Sequence, residues 1–385
     1  MSSTPDVAGS GARLLPLLVC GAALATALAM TGDVPVGAFY DDGIYVVLAK
    51  ALATGEGYRY LNLPGEPTAT HFPPGYPAFL AVLWKLAPRF PENVGLFRLA
   101  NALLLAAVAG GTYAIARLRL HLSLNASALT AVIATVSVPL LTVTVMLLSE
   151  PLFLALALPV LLLAERAVEE GRVPRAALAG VLGGVVTLVR SLGIGILPAT
   201  VFLLLVRRRW AAAGACALGG LAVVLPWQRF AAAHAAEVPA LFTGQYGAYT
   251  AWALAPIREH GLGFVADVVA VNARQGVGFF RALFAAHLPA GAAVMLLAAL
   301  ALVAVMGVRA VSRRAPVTAL FILSYLAIVA VWPFHPGRFL WGIWPLLWLV
   351  LAAGVASLWR WRPAPVPARA ARMALFAGAA ALLVG

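Results

Sequence analysis

The sequence predicts an all-α protein, a polytopic transmembrane bundle of about eleven membrane segments. Three observations predict it. Of its 385 residues, 63% are hydrophobic and 11% charged, where a soluble domain carries about 45–50% apolar and about 25% charged residues. Apolar runs close to membrane-spanning length recur along the chain. Basic residues concentrate on one set of the turns between them. This pattern excludes a soluble enzyme, a disordered chain and a nucleic-acid module. The net charge of +13 therefore poses a question of topology, and no nucleic-acid partner is expected.

The runs are Leu14–Met30, Val94–Ala116, Ala126–Leu148, Pro151–Ala164, Ala211–Phe230, Ala290–Val308, Val317–Trp332, Gly342–Leu358 and Met373–Gly385. They read as a single integral membrane domain over residues 1–385, interrupted by two long polar stretches at 32–93 and 231–288. Ala27-Leu28-Ala29 has the form of a signal cleavage site, but in a chain of many spans the first run reads as a retained helix. Cys20 and Cys216 lie within apolar stretches and read as small buried residues.

The segment Ala176–Val206 is long for one span and short for two, and Arg190, Gly193, Gly195 and Pro198 interrupt it. Charge bias decides between the two readings. Two half-helices meeting at Arg190 place sixteen bases inside: Arg13, Arg117, Arg119, Arg166, Arg172, Arg175, Arg207, Arg208, Arg209, Arg309, Arg313, Arg314, Arg360, Arg362, Arg369 and Arg372. Four acids join them (Asp6, Glu165, Glu169 and Glu170), so the inside carries 16 − 4 = +12 and the outside 11 − 10 = +1. A single span would put ten of those arginines outside, against the positive-inside rule. The N-terminus is then cytoplasmic and both long stretches are external. Arginine outnumbers lysine 25 to 2, as in a GC-rich bacterial genome, so the expected location is a bacterial inner membrane. Trp84, Trp210, Trp227, Trp332, Trp341 and Trp359 sit near run ends as interfacial anchors.

In so apolar a chain the ionisable residues outside the basic turns are the informative ones. Asp41 and Asp42 open a short amphipathic helix in the first outside stretch. One aspartate would serve as a helix cap, whereas two adjacent carboxylates repel unless something separates their needs. His71 and the rigid turn Pro73-Pro74-Gly75-Tyr76-Pro77 follow, leading into a helix from Ala78 to Leu86 too short to span. Glu150 stands between two apolar runs on the same side, as do Arg190 at the helix break and His335 with Arg338 in a late turn. Three carboxylates, two arginines and two histidines on one face could take a proton from one ligand and hold the phosphate of another.

The order of these motifs resembles the GT-C superfamily of polytopic glycosyltransferases, in the branch with protein O-mannosyltransferases and lipid A aminoarabinose transferases. Asp41-Asp42-Gly43-Ile44-Tyr45 is similar to that branch's Asp-Glu-x-x-Tyr, with Asp in place of Glu, and Ala51–Tyr58 resembles the run after it. Pro73–Pro77 resembles the juxtamembrane turn, Ser149-Glu150 the second acidic loop, and Leu188-Val189-Arg190-Ser191 the arginine at paired short helices. Arg338-Phe339-Leu340 is similar to a late Arg-Tyr-Leu motif, with Phe for Tyr. Many members add a soluble C-terminal domain, whereas this sequence stops within an apolar run.

The resemblance implies a GT-C-like bundle with juxtamembrane helices in the first outside loop. It implies an inverting transfer of sugar from a polyprenyl-phosphate donor to the hydroxyl of a lipid, glycan or protein acceptor on the periplasmic face. Asp41, Asp42 and Glu150 are the implied catalytic carboxylates, with Asp41 as general base. Arg190, Arg338 and His335 are the implied donor-phosphate ligands, and Tyr45, His71 and Tyr76 the implied substrate contacts. Some members use a divalent cation and others none, and the sequence leaves both open. A lipid or sugar transporter or flippase is the rival from another class; it would favour paired broken helices and a midplane site. An O-antigen ligase-type enzyme would not need the early acidic pair.

Overall fold

A computed structural model describes residues 7–247 and 249–360 of the chain. The last expected span, Met373–Gly385, and the expected inside charges Arg362, Arg369 and Arg372 lie outside the described residues. Regular structure among the described residues is helical, apart from one isolated bridge between Arg59 and Thr68. The first half comprises α1 (Val7–Met30), α2 (Asp41–Thr54), α3 (Gly75–Leu86), α4 (Val94–Leu118), α5 (Leu124–Thr135), α6 (Val138–Val145), α7 (Glu150–Glu170) and α8 (Val173–Val189). The second comprises α9 (Ile196–Val206), α10 (Trp210–Ala233), α11 (Thr243–Tyr246), α12 (Tyr249–Phe284), α13 (Ala290–Arg314), α14 (Pro316–Val331), α15 (Pro336–Trp341) and α16 (Trp344–Arg360).

Among the described residues four helices are long and apolar enough to cross a membrane: α4, α7, α10 and α13. The pair α5 and α6 makes a fifth candidate, bent by 52°. The sequence suggested one continuous run there. Val136 leaves the helical region, Ser137 is extended, and Pro139, in the first turn of α6, has no N–H to continue the preceding helix. Leucine, valine and methionine side chains on α13 point outward uncovered, at 61–75% exposure for Val294, Met295, Leu302 and Val305. An unpaired apolar face of that extent suits lipid, which supports a multi-pass membrane protein.

The break at Arg190 is a reversal. Arg190 has extended φ/ψ, a 3₁₀ turn covers Ser191–Gly195, and α9 follows. α8 and α10 pack side by side with Gly180 against Cys216 and Gly184 against Gly220 and Val223. Contacts that advance together along both helices mean that the two run parallel, so α9 must carry the chain back. It does: Arg207 donates to the Val168 carbonyl, and Arg209 lies against Gly171, beside the start of α8.

This return also gathers the basic turns. Arg119 pairs with Glu169, and Arg314 donates to the Leu120 carbonyl. Arg119, Glu169, Arg207 and Arg314 thus meet at one end of the bundle, while Asp41, Glu150, Arg190 and Arg338 meet at the other. α2 and α3 pack on each other at that second end, and α3 also touches α8. The stretch 231–288, expected as an external loop, is mostly helical. The latter part of α12 lies across the outer ends of α14 and α16, where Asn272 donates to the Val329, Ala330 and Trp332 carbonyls and Phe284 stacks on Trp344.

The α8–α10 contact depends on the missing side chain of Gly180, because a Cβ there would overlap the Cys216 carbonyl. Gly180→Val should therefore cost about 1–3 kcal/mol through overpacking. It should lower the apparent melting midpoint of the detergent-solubilised protein. Gly214→Ala, where an added Cβ meets nothing within 4 Å, should leave that midpoint unchanged or slightly raised.

Candidate functional site

Two turns with strained backbone deliver the acidic groups. Tyr40, immediately before Asp41, has φ 69°, and Leu147, three residues before Glu150, has φ 51°. Left-handed conformations in residues with a side chain cost about 1 kcal/mol or more and persist only where the surroundings enforce them. At the first turn Asp42 does the enforcing. Its buried carboxylate accepts from the backbone N–H of Gly37 at 2.7 Å and of Phe39 at 3.1 Å, folding the approach to α2 back on itself. At the second turn Asn101 on α4 donates to the Thr144 and Leu148 carbonyls and accepts from the Tyr76 hydroxyl at 3.2 Å.

The centre of the site is an ion cluster. Glu150, wholly buried at the start of α7, lies 2.8 Å from Arg190 Nη1 and 3.7 Å from Arg338 Nε. Arg190 Nη1 also donates to Ser149 Oγ at 3.1 Å, and that hydroxyl lies 3.3 Å from the Tyr45 hydroxyl. Arg338 Nη1 pairs with Asp41 Oδ2 at 2.7 Å while its guanidinium stacks 4.9 Å over the Phe39 ring. Burial opposes the charge on Arg338, but the Glu150 and Asp41 carboxylates outweigh it and raise its pKa further. Burial first, and the Asp41 carboxylate second, push the Tyr45 phenol up to about 12, so it serves as a neutral hydroxyl.

A cavity of about 910 Å³ opens on this cluster. Asp41, Tyr45, His71, Arg190, His335 and Arg338 line it. The opposite wall is apolar, with Leu192 and Ile194 from the turn before α9, Trp227 and Ala231 from α10, and Ile328 and Val329 from α14. Three of the sequence candidates stand behind the polar wall: Asp42 holds its own turn, Tyr76 supports Tyr45 edge-on with ring centroids 5.0 Å apart, and Glu150 holds both arginines. Sequence reasoning missed Tyr40 and Gln228 and read Trp227 and Trp332 only as anchors, yet all four line the cavity. The polar pair Gln228-Arg229, which follows Pro226 and Trp227 near the end of a long apolar helix, was the available signal for this part of α10.

The two histidines face the cavity in opposite protonic senses. His335 Nδ1 accepts from the Gly337 N–H at 3.1 Å, so its Nε2 carries the proton and donates. His71 Nδ1 is 2.7 Å from the Gly247 carbonyl, so Nδ1 donates and Nε2 carries the lone pair. Burial lowers the pKa of His71 and keeps this neutral form. Gly75 brings the His71 turn close to α8, since a Cβ there would sit 2.7 Å from the Leu188 carbonyl oxygen. Among the described residues no three His, Cys, Asp or Glu side chains gather as a metal site. Between Asp41 and Glu150 the positive charge is supplied by Arg338.

Breaking a buried ion pair costs about 3–5 kcal/mol because it strands the partner charge. Glu150→Gln should accordingly lower the apparent melting midpoint sharply, and Glu150→Gln/Arg190→Met should recover part of the loss. An additive double variant would show that the pair is not the source. The lowered His71 pKa has its own consequence. Stability from the neutral ring is complete above the unfolded value of about 6.5 and is lost as pH falls toward the folded value. In melting scans, His71→Gln should flatten the decline below pH of about 6.5.

No protein-family model matches this chain, and none of the curated proteins matches it.

Proposed function

We propose that the protein is an inverting glycosyltransferase that moves a sugar from a polyprenyl-phosphate donor to an acceptor hydroxyl. The observation that carries this reading is a carboxylate, Asp41, on the wall of a half-apolar cavity and in direct contact with one of two arginines there. The bundle would cross the membrane about eleven times. The basic end is then cytoplasmic, with the N-terminus on that side, and the cavity faces the periplasm of a bacterial inner membrane.

In this reaction Asp41 accepts the proton of the acceptor hydroxyl as its oxygen bonds to the anomeric carbon. The bond from that carbon to the donor phosphate breaks on the opposite face, so the configuration inverts. The leaving phosphate keeps the bonding electron pair and gains one negative charge. Arg338, Arg190 and the Nε2–H of His335 answer that charge. Glu150 and Asp42 are positioning residues: one holds the arginines and the other the turn that presents Asp41. The Tyr45 hydroxyl offers a hydrogen bond to sugar or acceptor hydroxyls, and His71 lines the same cavity. The apolar wall between α10 and α14, with Leu192 and Ile194 from the turn before α9, suits the first isoprene units of the donor.

Membranes supplied with radiolabelled polyprenyl-phosphate sugars test the proposal. Asp41→Asn should reduce transfer at least about 100-fold, as loss of a general base does, while the melting midpoint falls less than in Glu150→Gln, because Asp41 is partly exposed and Arg338 keeps Glu150. Full activity of that variant would overturn the assignment of the base. Failure of the parent to use any of the donors would overturn the reaction.

A further inference from the structure

Away from the ion cluster, at the basic end, α7 and α8 enclose a second cavity of about 360 Å³ lined by Leu163, Arg172, Pro174, Arg175 and Leu178. Arg175 pairs with Glu170 Oε2, and Arg172 Nε lies 3.5 Å from the same oxygen. Two guanidiniums converging on one atom lie within a single phosphate group's reach of each other. One carboxylate cannot neutralise both, and Glu169 next to it is already taken by Arg119. Arg209 adds a further positive charge against Gly171. The N-terminus of α8 points the same way, and no side chain caps it. The remaining lining, Leu163, Pro174 and Leu178, is apolar, with Leu163 partly buried and Leu178 49% exposed.

We propose that this cleft holds an anionic phospholipid, its phosphate between Arg172 and Arg175 and the first methylenes of its chains along Leu163 and Leu178. Charge complementarity commits the site to that occupant. A zwitterionic headgroup would bring its own ammonium against Arg172, which stands 73% exposed at the mouth. A soluble phosphate would leave the leucine half uncovered. The cleft lies where the apolar faces of α7 and α8 give way to charge, the level at which headgroups sit. This inference is independent of the reaction proposed above.

The test uses the delipidated full chain in detergent, titrated separately with phosphatidylglycerol, phosphatidylcholine and soluble glycerol phosphate. Phosphatidylglycerol should bind about tenfold more tightly than phosphatidylcholine, from two arginines at the surface, and should raise the melting midpoint. Arg172→Gln/Arg175→Gln should reduce that preference to within about twofold. Arg172→Gln alone, at an exposed position safe for folding, should lower it measurably. Arg309→Gln/Arg313→Gln, at the same end but on α13, should leave it intact. If the α13 variant loses the preference equally, the attraction is diffuse and the site is overturned. Retention of the preference by the Arg172/Arg175 variant overturns it as well. Equal stabilisation by glycerol phosphate removes the lipid from the proposal.

Discussion

A carboxylate with no exposure to water cannot remain charged without partners, and Glu150 has two. Its burial costs several kcal/mol unless guanidinium groups reach it, because attraction between close charges must offset lost hydration. That demand organises three distant parts of the chain: the turn before α7, the break between α8 and α9, and the short helix α15. A continuous helix through Arg190 would add nothing to hold this residue at the junction. The extended backbone there ends α8 at the level of Glu150 and turns the chain back as α9. Arg338 then uses its second edge on Asp41, which ties the start of α2 to the same centre.

Around this centre, the groups on the cavity wall are fixed by groups behind it. Asp42 uses its charge on two backbone N–H groups and so fixes the left-handed Tyr40 beside Asp41. Asn101 does the same for the Leu147 turn by bonding two of its carbonyls, and the Tyr76 hydroxyl completes that amide. Strained backbone beside a cavity is stable only with such supports. Ser149 links the two sets, since its hydroxyl meets both Arg190 and Tyr45. Gly75 supplies the complementary economy, where absence of a side chain lets the His71 turn reach α8.

Much of this was legible because the chain is so apolar. Against that background Asp41, Glu150, Arg190 and Arg338 stood out as expensive residues, and counting bases on alternate turns assigned them to one end. The reversal at Arg190, inferred from charge alone, agrees with parallel packing of α8 on α10. What stayed hidden depends on direction rather than composition. Adjacent aspartates look equivalent in sequence, yet one faces the cavity and the other its own backbone. Trp227 looks like any interfacial tryptophan until α10 is rotated into place. The bend at Val136 and Ser137 and the course of α12 across the helix ends are settled by tertiary contacts, which no local pattern encodes.

The ion cluster is neutral by formal charge, with Asp41 and Glu150 against Arg190 and Arg338. The anionic donor of the proposed reaction would have to compete with Asp41 for Arg338. In the proposed reaction this competition resolves itself at the chemical step. The proton taken from the acceptor neutralises Asp41 and so weakens its hold on Arg338. In the same step the departing phosphate gains a charge, and the guanidinium released from one partner is attracted to the other. Glu150, in contact with Arg338 Nε and Arg190 Nη1, keeps both guanidinium groups at the site while the balance between Asp41 and the phosphate shifts. Such stabilisation grows with the charge that develops and is weaker beforehand, which is the condition for lowering a barrier rather than merely binding a substrate. A lysine at position 338 would carry the same charge but lacks the planar fork needed to face Asp41, Glu150 and a phosphate by turns.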